Sequence, residues 1–161
     1  SGADGVEMVR QTGCAGVVVG RGCLGRPWLF ADLVDAFNGG DKRVLPTLHE
    51  VREVMFRHGE LIVDYFESED RGCRDLRKHM AWYLKGFRVH SELRRQFGMV
   101  GSLNELRSLL NQLDDQPYPV DVAEKPRGRT SSGRPPTLPD GWLNDPDEMI
   151  HLDAEDMFSG G

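Results

Sequence analysis

The segment Ala15–Phe30, AGVVVGRGCLGRPWLF, limits the fold of this 161-residue chain more than any other. Its run Val17–Val19 is β-branched and uninterrupted, which is typical of a buried strand in a parallel sheet covered on both faces. Three glycines follow, and Pro27 then fits the first turn of a helix. With a helix-like pattern over 3–12 before it, residues 1–40 are predicted to form helix, strand (15–19), glycine loop and helix.

The sequence pattern of residues 41–115 predicts helices and no strands. The segments Thr47–Glu50 and Ser102–Glu105 both have the form of a capping box, in which each end of the box satisfies an unpaired amide at a helix start. Apolar residues recur at helical spacing after both boxes. A further helix is predicted over Cys73–Phe87 and a short one after Ser91, so the region reads as a small bundle of three to four helices.

Residues 116–161 lose this periodicity. The first part is rich in Pro, Gly, Ser and Arg, and Asp140–Asp156 holds seven carboxylates and no Lys or Arg. Such a composition predicts a disordered tail, basic first and then acidic. The carboxylates of this tail account for the net charge of −6 of the chain.

Other features of the composition favour a cytoplasmic protein, expected to be a monomer. No apolar run reaches the ~20 residues of a membrane helix. The three cysteines, Cys14, Cys23 and Cys73, match neither a disulfide framework nor a metal site. The chain begins at Ser1 and enters a helix directly, which suggests a piece of a longer protein.

The glycine loop spells G-R-G-C-L-G, a literal match to the dinucleotide-binding fingerprint. That fingerprint needs an acidic residue at the end of a second strand. Asp41 lies at roughly the right distance but follows no strand, so the surrounding sequence does not support a dinucleotide-binding site. The alternative is the last βα unit of a (β/α)8 barrel, where such a loop binds phosphate. Gly20, Arg21 and Gly22 would then hold the anion, although a tight turn with Arg21 in a surface salt bridge explains the composition equally well.

The helix after residue 70 carries a basic face. At 100° per residue, one arc collects Arg74, Arg77, Lys78, Lys85 and Arg88, opposite an apolar arc. From 71 to 95 there are eight Lys/Arg and two Asp/Glu. Mutual repulsion within such an arc favours an external anion, and these five residues are the candidates for binding RNA phosphates. A solvated surface remains the alternative, and His79, outside both arcs, is expected to pack or hydrogen-bond.

Two motifs resemble those of a known family. GCAGVVVGRGCLGRPWLFADL is similar to the end of the flavin barrel in tRNA-dihydrouridine synthases, and LRKHMAWYLKGF resembles the signature of their C-terminal helical domain. The resemblance covers residues 1–115. It implies a mainly α chain that forms the C-terminal βα end of a TIM barrel and then a tRNA-binding helical bundle. It also implies FMN, with its phosphate on Gly20, Arg21 and Gly22, NADPH as the reductant, and tRNA as the substrate.

The chain departs from this family in what it lacks. The resemblance implies a full barrel and a catalytic cysteine upstream, and none of the three cysteines falls in the motif that carries it. No catalytic residue is therefore expected here, and the chain alone is expected to be inactive. Two alternatives stay open, namely a non-catalytic RNA-binding helical module and a fragment of an unrelated flavin or nicotinamide oxidoreductase.

Overall fold

A computed structural model describes residues 1–125, and these residues are mainly helical, as predicted. The predicted acidic tail from residue 126 onward lies outside the described residues. One 3-10 turn, Arg21–Cys23, separates the first two of the following helices: α1 Gly2–Thr12, α2 Leu29–Phe37, α3 Leu48–Phe66, α4 Glu69–Tyr83, α5 Ser91–Phe97, α6 Leu103–Leu110 and α7 Val120–Ala123. None of them is long and apolar enough to cross a membrane.

The predicted strand over 15–19 is not formed within residues 1–125. Residues 16–20 adopt no regular structure, and Val18 is 99% exposed rather than buried. A strand needs a neighbour to satisfy its N–H and C=O groups. No other strand is present between residues 1 and 125, so this apolar run has nothing to pair with.

The predicted helix starts are largely correct. Thr47 and Glu50 form the full capping box, with each side chain accepting from the backbone N–H of the other residue. Ser102 accepts from the N–H of Glu105 at 3.1 Å. The Glu105 carboxylate, however, accepts from the N–H of Gly101 at 2.8 Å, one residue before the position that a capping box requires. The second box is therefore only half formed.

Helix α4 is displaced from the predicted Cys73–Phe87. It begins after Ser68, whose hydroxyl accepts from the N–H of Arg71 at 3.4 Å. It ends at Tyr83, and Gly86 then adopts a left-handed φ of 88° that interrupts any continuation. Arg94 donates to the carbonyls of Leu84 and Phe87 at 3.0 and 2.7 Å and so stabilises the helix end.

Helices α3 and α4 pack tightly on each other and both contribute to the core. Gly72 makes the approach possible, because a Cβ there would lie 2.7 Å from the Cα of Val63. The largest fully buried side chains come from α3 to α6 and the turns between them: Leu48, Val51, Met55, Leu76, Met80, Leu84, Phe97, Val100, Leu106 and Leu110.

Residues 116–125 are packed, which differs from the disordered tail predicted from residue 116. The Gln116 carbonyl accepts from the N–H of Leu48 at 2.8 Å, and its side-chain amide bonds both backbone groups of Arg88 at 2.8 and 2.9 Å. Tyr118 and Ala123 are buried. These two side chains give the segment apolar surface to bury. The Pro-rich composition around them is why the sequence predicted disorder here.

Candidate functional site

The glycine loop lies directly against the C-terminal end of α4. Gly25 has a φ of 60°, and a Cβ there would meet the carbonyl carbon of Trp82 at 2.3 Å and the nitrogen of Tyr83 at 2.4 Å. Only glycine fits such a position. The third glycine of the loop thus serves close packing, and it brings the two sequence motifs into contact.

The first half of the loop is open. A Cβ on Gly20 would meet nothing within 4 Å, and one on Gly22 would meet only two side chains at 3.7 Å. Arg21 is exposed, and its guanidinium has no hydrogen bond or ion pair with any residue from 1 to 125. The surface salt bridge considered for Arg21 is therefore absent from this part of the chain. Cys23 donates from Sγ to the Gly20 carbonyl at 3.1 Å and closes the turn.

A carboxylate just after α7 ties the same region to the rest of the bundle. Arg26 is buried, and its Nη1 lies 4.0 Å from Oε1 of Glu124. Arg43 donates to the same oxygen of Glu124. In addition, buried Asp32 accepts from the N–H of Val44 at 2.7 Å. These contacts hold α2 and the loop beside the bundle.

Two exposed cations of α4, Arg74 and Lys78, have carboxylate partners, which corrects the predicted arc of unpaired charges. Arg74 donates to Asp70, with Nε 3.2 Å from Oδ1, and Lys78 donates to Asp75 at 2.6 Å. Asp70 stands outside the predicted arc because the predicted helix begins after it. Both cations remain more than half exposed, at 65% and 57% of their side chains. Exposed pairs of this kind contribute ~0–1 kcal/mol, so phosphates can replace the carboxylates.

The other three predicted RNA-binding residues lie apart from this face. Arg77 donates to the Val100 carbonyl at 2.9 Å and helps to hold the turn after α5. Lys85 and Arg88 follow the end of α4, so they do not continue its arc. Lys85 donates to the Lys125 carbonyl at 2.8 Å. Of the five predicted residues, therefore, only Arg74 and Lys78 present cations from the solvent face of α4.

Sequence reasoning missed a cavity of about 530 Å³ between the glycine loop, α3 and α4. We call it the histidine cavity; its lining includes Leu24, Val54, His58, Leu61, His79 and Tyr83. Tyr83 Oη lies 3.0 Å from His58 Nδ1, and the rings of His58 and His79 are 4.7 Å apart. The sequence contains both histidines, but their meeting depends on the packing of α3 on α4.

Burial favours the uncharged forms of His58, His79 and Tyr83 in the histidine cavity. It lowers the pKa of both His58 and His79, for His79 with help from the neighbouring imidazole and Lys78, while Asp75 opposes the shift at each. Burial also raises the pKa of Tyr83 to about 12, with a smaller contribution from Cys23. Near neutral pH the cavity therefore offers neutral imidazoles and a protonated phenol. No cluster of three potential metal ligands occurs in residues 1–125.

Comparisons with known proteins agree with the two motifs. The family model described as "Dihydrouridine synthase (Dus)" matches residues 2–118. A probable tRNA-dihydrouridine synthase of Mycobacterium leprae is 53% identical over 161 residues, covering 99% of this chain and 41% of that protein. One from Mycobacterium tuberculosis is 51% identical over 160 residues, covering 98% and 41%. A third, from Synechocystis, is 35% identical over 107 residues, covering 66% and 30%. The chain thus spans about two fifths of the length of its two mycobacterial relatives.

Proposed function

This chain belongs to the dihydrouridine synthase family, and on that premise we propose that it forms the C-terminal part of a flavin-dependent tRNA-dihydrouridine synthase. Such an enzyme reduces uridine to 5,6-dihydrouridine in tRNA. The observation that carries the proposal is the contact of Gly25 with the backbone of Trp82 and Tyr83. It sets a loop suited to a phosphate beside a helix suited to RNA.

Residues 1–40 are proposed to complete a TIM barrel. The support is the apolar surface that they leave uncovered. Val18 is 99% exposed, and α2 presents Phe30, Val34 and Phe37 at 49%, 63% and 46% exposure. Large exposed apolar patches mark surfaces that pack against something else. If residues 15–19 formed a strand between barrel strands, its backbone N–H and C=O groups would be paired and Val18 would be buried.

Gly20, Arg21 and Gly22 are proposed to hold the FMN phosphate. They fit an anion, because the space over both glycines is open and the Arg21 guanidinium is unpaired within residues 1–125. When bound, FMN reduced by NADPH supplies the hydride for uridine reduction. This chain's own part is to position that group, since none of its cysteines lies in the motif of the catalytic cysteine.

Arg74 and Lys78 are proposed to bind tRNA phosphates, with Lys85 and Arg88 extending the surface beyond α4. Arg77 is proposed to support this surface through the Val100 carbonyl. Contacts to phosphates position the RNA without reading its sequence. Because Asp70 and Asp75 must be displaced, the interaction is expected to be weak and strongly dependent on salt.

A salt titration of tRNA binding tests this interface. Replacing Arg74 and Lys78 with Gln should reduce the slope of log K against log salt by ~0.7–0.9 for each phosphate that the protein no longer neutralises. The matched control replaces Arg10 and Arg95 with Gln, because both are exposed cations in i,i+3 ion pairs on other helices. If both double variants weaken binding equally, net charge rather than the α4 surface controls the affinity, and the proposed interface is wrong.

A further inference from the structure

The histidine cavity has the size of a small-ligand site. Its volume of about 530 Å³ lies within the ~300–1,000 Å³ of such sites. Leu24, Val54 and Leu61 come from three different places along the chain, the loop and two turns of α3, and give it apolar walls. Neither the phosphate loop at 20–22 nor the exposed cations of α4 need this cavity. It is therefore distinct from the phosphate loop and the α4 cations, although Phe30 of the apolar α2 surface also lines it.

The polar groups of the cavity suit the edge of a planar heterocycle. His58 Nδ1 and the Tyr83 hydroxyl form one hydrogen bond, 3.0 Å long. In either tautomer of the neutral imidazole, Nε2 of His58 is left as one further donor or acceptor. His79, also neutral, adds one donor and one acceptor. Nucleobase edges present donors and acceptors side by side, and unpaired bases in RNA are commonly bound by aromatic rings and hydrogen bonds.

Exposed side chains of both charges surround the cavity, and its cations could contact a ligand that carries phosphate. Arg57 and Glu53 both line it, and Arg57 is exposed over 66% of its side chain while it pairs with Glu60 at 3.0 Å. Lys78 precedes His79 on α4, and Arg21 lies three residues before Leu24 in the loop. Cations around an apolar pocket suit a base that is attached to a phosphate backbone.

We propose that the histidine cavity receives an unpaired nucleobase of the bound RNA. The base packs between the apolar walls while His58 and His79 hydrogen-bond its edge. This inference rests on the proposed RNA-binding function. It adds a site that holds a single base rather than the backbone.

The test uses the full chain and two single-stranded probes. One is a hexauridylate with a central 2-aminopurine, and the other carries an abasic residue at that position. Because stacking contributes ~1–3 kcal/mol per base, the 2-aminopurine probe should bind on the order of fivefold more tightly or better, with a change in its fluorescence. The ratio of the two affinities is the readout, so effects on backbone binding cancel.

Two variants locate the effect. Leu61→Glu places a carboxylate in the apolar wall and should bring the ratio close to one. Its matched control is Tyr65→Glu, which adds the same charge one turn later on α3 and should leave the ratio unchanged. Both positions are at least half exposed, at 50% and 81%, so both variants should fold. His79→Phe keeps the ring but removes its hydrogen bonds and should lower the ratio.

Each remaining outcome overturns the inference in a distinguishable way. Equal binding of both probes by the unaltered chain contradicts the base site but leaves the proposed backbone interface intact. A ratio that survives both Leu61→Glu and His79→Phe places base recognition elsewhere. If neither probe nor tRNA binds at low salt, the RNA-binding function itself fails, and the base site with it.

Discussion

Gly25 is the residue on which the packing of the loop against α4 depends. Gly25→Ala should lower the free energy of unfolding by about 2–5 kcal/mol, since a left-handed φ costs ~1–2 kcal/mol and forced packing ~1–3 kcal/mol. Urea denaturation measures this change. Gly13→Ala is the matched control, because Gly13 also has a positive φ, 68°, but a Cβ there would meet nothing within 4 Å. Equal destabilisation by the two substitutions would mean that the approach to Trp82 and Tyr83 is not close.

The two histidines of the cavity make stability depend on pH. Their folded-state pKa values lie below the ordinary 6.5, so the unfolded chain binds more protons just below that pH. Stability should therefore be complete above about pH 6.5 and should fall as the pH decreases from there. The carboxylates with lowered pKa values start from 3.8 and 4.5, so their contribution disappears only at lower pH.

Chemical denaturation between pH 5 and 7 measures this dependence. His79→Gln should reduce the slope of unfolding free energy against pH, because it removes one of the two groups that resist protonation. His49→Gln replaces an exposed histidine at the start of α3, outside the cavity, and should leave the slope unchanged. A slope that is the same in both variants would show that burial in the cavity does not control the titration.

At the scale of elements, the segment 116–125 holds the loop region to the bundle through Glu124. Glu124→Gln should cost about 1–3 kcal/mol, because it weakens the partner of the buried Arg26. The matched control is Glu53→Gln, which removes the exposed ion pair with Arg107 and should cost under ~1 kcal/mol. Comparable destabilisation of the two variants in urea would mean that Glu124 forms only an ordinary surface pair.

Elements governed by local chemistry could be predicted from the sequence. The capping box at Thr47 and the left-handed Gly13 after α1 follow from a few neighbouring residues, and both are present. Elements that depend on distant residues could not. The strand at 15–19 needs partners that residues 1–125 do not supply. The end of α4 depends on Arg94, and the order of 116–125 depends on contacts with α3 and the residues after α4.

In the candidate site, too, features set by neighbouring residues could be predicted and features set by distant residues could not. The open glycines and Arg21 could be identified from the sequence of the loop alone. The basic arc could be predicted only in part, since side-chain partners such as Asp70 depend on where the helix begins. The histidine cavity could not be predicted from the sequence, because His58 and His79 are twenty-one residues apart and meet only through the packing of two helices.

At the scale of the whole molecule, the glycine loop packs on α4 and lines the histidine cavity, and the proposed function requires a barrel as well. A chimera supplies it. In the Mycobacterium tuberculosis relative, 51% identical over 160 residues, the matching segment is replaced by this chain. Arg21→Ala in the chimera should weaken FMN binding by ~10–150-fold, equivalent to ~1.5–3 kcal/mol for a charged hydrogen bond. Arg10→Ala, remote from the loop in sequence and paired with Glu7, should leave FMN binding unchanged.

The central claim is that this chain supplies the C-terminal part of a tRNA-dihydrouridine synthase. The most direct measurement is the dihydrouridine content of unmodified tRNA after incubation with the chimera, FMN and NADPH. The chimera should form dihydrouridine at the position that the parent enzyme modifies, while the 161-residue chain alone should form none. A folded chimera that forms no dihydrouridine under conditions in which the parent does would contradict the claim, as would turnover by the chain alone.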